Sequence, residues 1–386
     1  MKNRLFLLGL TLFLITAPDA QTRKYGYNPE NYPEILEEGH FSEAENLAKL
    51  YGFIDKDFSA KDMTQLSLGF LALQAFDQRT IWPEKHRLPE GFLPEEWLET
   101  GKGPGLGVSE LHRTGITGRK AVVAVFDKYI NPDHVEFSGR IVFHRIKSDL
   151  AEDFQYRLHF HGISCASILC GKTLGVAPEA TLHYFAVPDD ARNSYNYCLA
   201  LEELLRINAE LPAGEKIRAV SISDGISSKD AKIYERWQGL RQKAGEAGVA
   251  VICSEAATTF ATFTWGGCPP FSDRNDPENY RYAAWPRDND KEHRGKIILP
   301  ADYRTSAQNR GNDAYVYWGD GGFSWAIPYF AGLAALAWGV DGNLTIEEIY
   351  RLIDETKTRT SQGRYVINPE SFIERVIEEK GSCPEM

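Results

Sequence analysis

The chain has 386 residues, of which 43% are hydrophobic and 25% are charged. This length exceeds one average domain, so we expect one large folded domain with a smaller additional segment. The formal net charge is −11 at pH 7. That charge argues against a protein that binds nucleic acid through a broad basic surface.

Residues 1–20 resemble an export signal. Lys2 and Arg4 precede an apolar run from Leu5 to Ala17, which is shorter than the about 20 residues that cross a bilayer. The pattern predicts cleavage after Ala20 and a secreted, periplasmic or otherwise extracytoplasmic protein. Pro18 fits a cleavage site poorly, so an uncleaved signal that anchors the chain in a membrane is the alternative.

Residues 21–103 form a separate N-terminal segment. Ser42-Glu43-Ala44-Glu45 matches a capping box, and Asp62 to Phe76 is rich in apolar residues, so both predict helices. Trp82 to Phe92 contains prolines and is typical of a linker. We therefore expect a small helical N-terminal segment before the main domain.

The main domain opens with a buried strand that ends in an acid. Ala121 to Phe126 is a run of apolar residues rich in valine, which is typical of a strand buried on both faces of a parallel sheet. Asp127 follows directly. Open α/β sheets place their sites at the carboxyl ends of such strands, so Asp127 is a candidate functional residue.

A histidine follows at the start of a predicted helix. His161-Gly162 precedes small and apolar residues, which predict a closely packed helix over 161–170 that carries the imidazole in its first turn. Gly175-Val176-Ala177-Pro178 comes after that helix. His159, two residues earlier, is a competing imidazole.

Strands and helices then alternate. The pattern predicts strands at 180–187, 218–223 and 249–253, with helices at 194–209, 229–247 and 345–354. Such alternation implies an α/β fold with a doubly wound, mostly parallel sheet flanked by helices. Residues 280–320 are aromatic and polar, and we expect them to form long loops around a cleft.

Ser324 is the third candidate catalytic residue, after Asp127 and His161. Gly321-Gly322-Phe323-Ser324 precedes a long helical run, and Pro328 suits a first helical turn. The chain order Asp, His, Ser is the order of the triad in subtilisin. An α/β-hydrolase esterase is disfavoured, because Ala326 stands where its elbow requires glycine and its triad order differs.

Over about residues 104–345 the chain resembles the subtilases, the subtilisin-like serine endopeptidases. The resemblance rests on the strand that ends at Asp127, on His161-Gly162 with the later Gly175 to Pro178, and on Ser324 with Pro328. Of the two imidazoles, only His161 precedes glycine as the family pattern requires. Phe323 and Trp325 depart from the threonine and methionine usual in the family.

The resemblance implies that residues 104–386 form a peptidase domain that cleaves protein or peptide substrates. Ser324 is then the nucleophile, His161 the general base and Asp127 its orienting acid. Ser223, Asp224 and Gly225 match the segment that pairs with an extended substrate. Asp224 occupies a usually apolar place, which predicts a preference for basic or polar substrate side chains. Residues 21–103 are then either a removable propeptide or an extension that wraps the domain.

One departure from the family concerns the oxyanion hole. The family's asparagine falls on Ala257, or on Thr258 with a one-residue slip. Loss of such a donor costs on the order of 10²–10³ in turnover. Two functions stay open: a protease that stabilises the oxyanion differently, and a catalytically impaired subtilase that acts as a peptide-binding or regulatory protein.

No cofactor and no metal site follow from the sequence. The six cysteines lack metal-ligand spacing, and we expect many to be free thiols packed as small apolar residues. Subtilases often carry calcium, but no acidic cluster here identifies its ligands.

Overall fold

The structure is a computed structural model. It describes residues 34–35, 39–40, 52–147, 158–189, 193–226, 230–254, 261–283 and 293–382. The predicted export signal and the capping box at Ser42 lie outside the described residues.

The described residues contain short N-terminal strands followed by two larger sheets. The strands are β1 (Glu34–Ile35), β2 (Gly39–His40), β3 (Lys56–Asp57), β4 (Lys61–Asp62), β5 (Phe76–Asp77), β6 (Val122–Asp127), β7 (Ile141–Arg145), β8 (Thr181–Ala186), β9 (Ala219–Ile222), β10 (Ala250–Cys253), β11 (Phe263–Gly267), β12 (Arg281–Tyr282), β13 (Ile297–Asp302), β14 (Arg304–Ala307), β15 (Tyr315–Trp318), β16 (Thr358–Arg359) and β17 (Tyr365–Val366). The α-helices are α1 (Leu68–Ala72), α2 (Pro94–Thr100), α3 (Val108–Arg113), α4 (Phe160–Cys170), α5 (Asn193–Glu210), α6 (Ala231–Glu246), α7 (Gly322–Val340), α8 (Ile346–Thr356) and α9 (Pro369–Ser382).

A parallel sheet forms the centre of the molecule. Its strand order is β10-β9-β6-β8-β7, and every neighbouring pair is parallel. All six residues of β6 are buried, as expected for a central strand covered on both faces. The chain places β8 and β7 on one side of β6, and β9 and β10 on the other. The carboxyl end of β6 therefore lies where the strand order reverses, which is where such sheets place their sites.

Helices cover both faces of this sheet. Val123 and Val125 of β6 point into one core cluster, which includes residues of α4 and α7. Val122, Ala124 and Phe126 point into the other, which includes residues of α5 and α6. This alternation is the period of two along a strand. The doubly wound α/β prediction is confirmed.

The predicted alternation of elements between residues 121 and 254 agrees with the structure to within a few residues. The last predicted helix also forms, as α8. Its N-cap Thr345 accepts a hydrogen bond from the Glu348 backbone N–H, and the Glu348 side chain accepts from the Thr345 backbone N–H. This reciprocal capping box stabilises the first turn.

The prediction of long loops over residues 280–320 is wrong, because β13, β14 and β15 lie there. β13 joins a second sheet of order β12-β11-β13-β17-β16, and β14 and β15 form an antiparallel pair. Pro300 and the irregular pairing at Gly266 and Gly267 interrupt the alternation of residues along these strands. The hydrophobic pattern of the sequence therefore does not indicate them. These strands lead directly to Ser324.

The described part of the N-terminal segment packs into the main domain. β5 pairs with β15, so the segment adds the third strand of a sheet. Phe76 stacks on Tyr317 of β15 with ring centroids 4.8 Å apart. Of the helix predicted over residues 62–76, only the short α1 forms. The linker prediction for residues 82–92 is wrong, because Trp82 and Phe92 pack face to edge, 5.0 Å apart, in the same aromatic cluster.

Helix α7 runs through the core. Among the described residues it is the helix long and apolar enough to cross a membrane, but most of it is buried inside the protein. Gly332 lies so close to Val176 that a Cβ there would collide with the Val176 side chain. The glycine therefore lets α7 approach the segment that follows α4.

Candidate active site

Asp127 and His161 form a hydrogen-bonded pair at the carboxyl end of β6. His161 Nδ1 lies 2.8 Å from one carboxylate oxygen of Asp127 and 3.0 Å from the other. Asp127 is 2% exposed, and its Oδ1 also accepts the Lys128 backbone N–H at 2.7 Å. The carboxylate thus holds the imidazole with its Nδ1 as the donor, which leaves Nε2 as the free base.

Gly162 explains why a glycine follows the histidine. A Cβ at this position would collide with the Tyr184 hydroxyl and the Lys128 carbonyl. The Tyr184 hydroxyl itself donates to that carbonyl. Only a residue without a side chain lets the first turn of α4 approach the end of β6 closely enough for His161 to reach Asp127.

The electrostatics of the pair favour the charged forms of both groups. Burial alone acts to raise the pKa of Asp127, but the charge and hydrogen bond of His161, with the Lys128 N–H, lower it overall. Burial acts to lower the pKa of His161, but the Asp127 carboxylate and, after it, Cys165 outweigh burial, so the pKa of His161 lies well above 6.5. Above this pKa the imidazole is neutral and its Nε2 can accept a proton, and the raised pKa makes it the stronger acceptor there.

His159, the competing imidazole, caps helix α4. Its Nδ1 accepts the His161 backbone N–H at 3.3 Å, which satisfies one free donor of the first turn. Burial lowers the pKa of His159, so it stays neutral and keeps this acceptor. His159 therefore positions the backbone of His161.

Ser324 lies in the first turn of α7, and Pro328 leaves its carbonyl without the usual helical partner. The helix begins at Gly322, so the prediction that Pro328 lies in the first turn is wrong; it lies in the second. Because proline has no N–H, the carbonyl four residues earlier loses its bond. Ser223 Oγ donates to the Ser324 carbonyl instead, at 2.7 Å.

Cys165 joins the histidine helix to the serine helix. Its Sγ lies 3.9 Å from His161 Nδ1, 3.3 Å from Ser223 Oγ and 3.6 Å from the Ser324 carbonyl oxygen. The Trp325 ring lies 5.4 Å from the His161 ring. Ser324 thus shares one cluster with His161 and Asp127. Its Oγ makes no hydrogen bond to any residue that the structure describes.

A buried acid fixes the turn before the serine. Asp302, at the end of β13, is 2% exposed, and its Oδ1 accepts the N–H groups of Gly321 at 2.9 Å and Gly322 at 3.2 Å. A carboxylate at this end of α7 also interacts favourably with the helix dipole. Burial and the nearby Asp302 raise the pKa of Asp320, in the same turn, to about 7.

The predicted substrate-binding residues follow β9 beside this cluster. Gly225 is exposed, whereas Ser223 and Asp224 are half-buried. The Asp224 carboxylate accepts the Gly225 N–H at 2.8 Å and the Tyr197 hydroxyl at 3.2 Å. Asp224 therefore stabilises its own turn. Ala257 and Thr258, the positions of the missing asparagine, lie outside the described residues.

Residues 118–284 match the model of the subtilase family. This stretch contains Asp127, His161 and the segment from Ser223 to Gly225. Ser324 lies beyond its end. The matched part of the chain is therefore similar to the subtilases.

Curated relatives match a shorter part of this chain. Subtilisin-like protease 2 of Trichophyton equinum is 31% identical over 129 residues, and that of Trichophyton tonsurans is 33% identical over 129 residues. Each match covers 33% of this chain and 29% of the relative. The chain therefore matches less than a third of the length of these relatives.

A solved structure of the subtilase cytotoxin SubAB has the same fold. Its TM-score is 0.51 at 15% sequence identity, and the match covers 73% of this chain and 97% of the cytotoxin chain. At this identity the likeness shows the fold of this chain and nothing finer.

The sequence did not reveal the contacts that Ser223, Cys165 and Asp302 make with the serine helix and the turn before it. Pro328 four residues after Ser324 was a usable signal, because it predicts an unpaired Ser324 carbonyl that some donor must satisfy. Cys165 gave no signal beyond its small size. Asp302 ends an apolar run in a region whose aromatic and polar composition predicts loops, so the sequence does not indicate its place beside the serine turn.

Asp127, His161 and Cys165 are also a group that could hold a metal ion, since their ligand atoms lie within 4.8 Å of one another. The fit is poor. Burial raises the pKa of the Cys165 thiol, whereas a metal requires the thiolate. His161 Nδ1 is engaged by Asp127. The group matches an acid–base pair better than a metal site.

Proposed function

We propose that this chain is a serine endopeptidase that cleaves protein or peptide substrates outside the cytoplasm. The observation that carries the proposal is the buried Asp127–His161 hydrogen bond beside the helix that bears Ser324. The export signal predicted for residues 1–20 supports an extracytoplasmic site of action.

In this mechanism the Ser324 hydroxyl attacks the carbonyl carbon of the scissile bond while His161 Nε2 takes its proton. The bond to the leaving amine then breaks, and His161 returns the proton to that amine. Water, activated by the same imidazole, hydrolyses the acyl-enzyme. Asp127 holds the imidazole and stabilises its protonated form. The backbone N–H of Ser324 is the oxyanion donor that needs no side chain.

Substrate binding would use the exposed edge after β9. An extended peptide can pair with the backbone near Gly225, where the chain is accessible. Because the Asp224 carboxylate already accepts two hydrogen bonds, its charge would reach a substrate only at long range. A preference for basic side chains would then be modest.

A second candidate function is peptide binding without efficient cleavage. It is favoured by the sequence from Glu255 to Thr259, which lacks the family's asparagine. The two functions share a binding edge and differ in turnover.

Hydrolysis of a fluorescent denatured protein separates the two functions. The full chain should release peptides, and Ser324→Ala should lower turnover by about 10⁴–10⁶. Ser109→Ala, at an exposed serine outside the cluster, is the matched control and should keep full activity. Tight binding of peptides with turnover unchanged by Ser324→Ala would favour the second function.

A further inference from the structure

A buried arginine without a counter-charge lies on the strand pair that precedes the serine helix. Arg304, at the start of β14, has no exposed surface. Its guanidinium donates to the carbonyls of Pro300 and Leu174, and both distances are long, at 3.4 Å. Its Nε has no hydrogen-bond partner among the residues that the structure describes. Since a guanidinium has five N–H donors, most of its bonding capacity is unused.

No carboxylate compensates this charge among the residues that the structure describes. The charged and titratable groups that act on Arg304 are Arg274, Tyr280 and Tyr329, and the first is a second cation. Burial raises the pKa of both tyrosines, so neither supplies a negative charge at neutral pH. Burial and Arg274 lower the pKa of Arg304 to about 9, which leaves it charged at pH 7.

Tyr329 brings a second unused donor to the same place. It projects from α7 and has no exposed surface, and its hydroxyl has no hydrogen-bond partner within the described part of the chain. The Arg304 guanidinium lies 5.8 Å from the centre of its ring. Tyr280 differs, because its hydroxyl donates to the Arg274 carbonyl at 2.9 Å. The unpartnered groups therefore come from two different elements, and the hydroxyl, which can donate or accept, is available as a donor.

A buried charge without compensation costs several kcal/mol, and arginine does not escape the cost by losing its proton. A water molecule accepts hydrogen bonds but adds two donors of its own and no charge. We propose that Arg304 and Tyr329 form a buried binding site for a small monovalent anion of the chloride type, between β14 and α7. Arg304 Nε and the Tyr329 hydroxyl are its donors, and Arg274 adds to the attraction.

Halide crystallography on the full chain tests the site directly. Crystals grown in sodium bromide should show an anomalous peak within hydrogen-bond distance of Arg304 Nε and the Tyr329 hydroxyl. Density there without an anomalous signal would mean that water fills the site, and the proposal would be overturned. Bromide peaks confined to exposed residues would mean an adventitious ion only, and they would also overturn the proposal.

Thermal unfolding gives an independent readout in solution. The melting temperature of the full chain should rise with chloride when sodium gluconate keeps the ionic strength constant, because a ligand that binds only the folded state stabilises it. Tyr329→Phe should raise the chloride concentration for half-maximal stabilisation by about tenfold, through loss of one hydrogen bond to a charge. Arg304→Met should abolish the dependence.

Arg140→Met is the matched control. Arg140 donates to the carbonyls of Cys170 at 2.8 Å and Glu136 at 2.6 Å, so its removal should leave the chloride dependence unchanged. If Arg304→Met fails to fold, the chloride dependence of the wild-type melting temperature and the bromide crystals still test the proposal. An identical melting temperature in chloride and gluconate would contradict the proposal.

Discussion

At the scale of single residues, the chemistry of the site depends on how Asp127 changes His161. The carboxylate keeps Nδ1 protonated and raises the pKa of the ring against the opposing effect of burial. The pair therefore stabilises the folded protein between the lowered pKa of Asp127 and the raised pKa of His161. This contribution is lost as pH falls through the first value or rises through the second.

We predict that Asp127→Asn shifts the titration of His161 to lower pH, because burial then acts without the opposing charge. NMR of the histidine rings measures this. In the unsubstituted protein His161 should titrate above pH 6.5, and in the variant well below that midpoint. His134, whose pKa burial lowers and which lies outside the cluster, is the internal control. An unchanged His161 midpoint would show that Asp127 does not set its protonation.

Ser223 offers a second test at this scale. It donates to the Ser324 carbonyl that Pro328 leaves unpaired. Ser223→Ala should therefore cost about 0.5–1.5 kcal/mol of the free energy of unfolding and lower kcat more than it raises KM. Steady-state kinetics with chemical denaturation measures both. A change in KM alone would instead mean that Ser223 acts only in substrate binding.

At the scale of elements, the serine turn is held by the sheet. Asp302 ends β13 and accepts two N–H groups at the start of α7, so the strand fixes where the helix begins. The sequence revealed the long helices and central strands, since their hydrophobic periodicity and length are strong signals. It did not reveal β13 to β15, because Pro300 interrupts the pattern of β13, and β14 and β15 have only four residues each.

Asp302→Ala should destabilise the protein by about 0.5–2 kcal/mol, the usual cost of losing a helix cap, and should lower kcat because the serine turn loosens. Asp302→Asn keeps an acceptor oxygen and should lose less of both. Thermal unfolding and kinetics on the two variants measure the difference. Equal losses in the two variants would mean that the hydrogen bonds are not what Asp302 contributes.

At the scale of the whole molecule, the described part of the N-terminal segment packs into the main domain. The Thr305 hydroxyl donates to the Leu98 carbonyl at 2.7 Å, and Gln308 donates to Asp77 at 3.0 Å. The Tyr317 hydroxyl also donates to the Ala72 carbonyl at 3.0 Å. These bonds join the segment to β14 and β15, which lead to Ser324. We therefore propose that residues 52–103 are retained in the working protein.

We predict that a chain beginning at Gly103 fails to fold into a stable domain, because it loses β5 and most of the aromatic cluster around Trp82 and Phe92. Solubility and thermal unfolding measure this. A chain beginning at Gly52 keeps that cluster and is the matched control. A stable and more active protein beginning at Gly103 would contradict the proposal and would restore the removable propeptide.

The sequence singled out Asp127, His161 and Ser324 because each lies in a local motif: a buried strand before Asp127, a glycine after His161, and glycines before Ser324. The supporting contacts could not be predicted, because Cys165, Ser223 and Asp302 meet the serine helix only in three dimensions. The role of residues 52–103 was equally hidden, since a strand as short as β5 leaves no periodic signal.

The most direct test of the account is labelling of the full chain with a fluorophosphonate, which reacts with activated serines, followed by mass mapping of the modified peptide. We predict a single label on Ser324, absent in Ser324→Ala, strongly reduced in His161→Ala and retained in Ser109→Ala. No labelling, or a label on another serine, would contradict the claim that His161 activates Ser324.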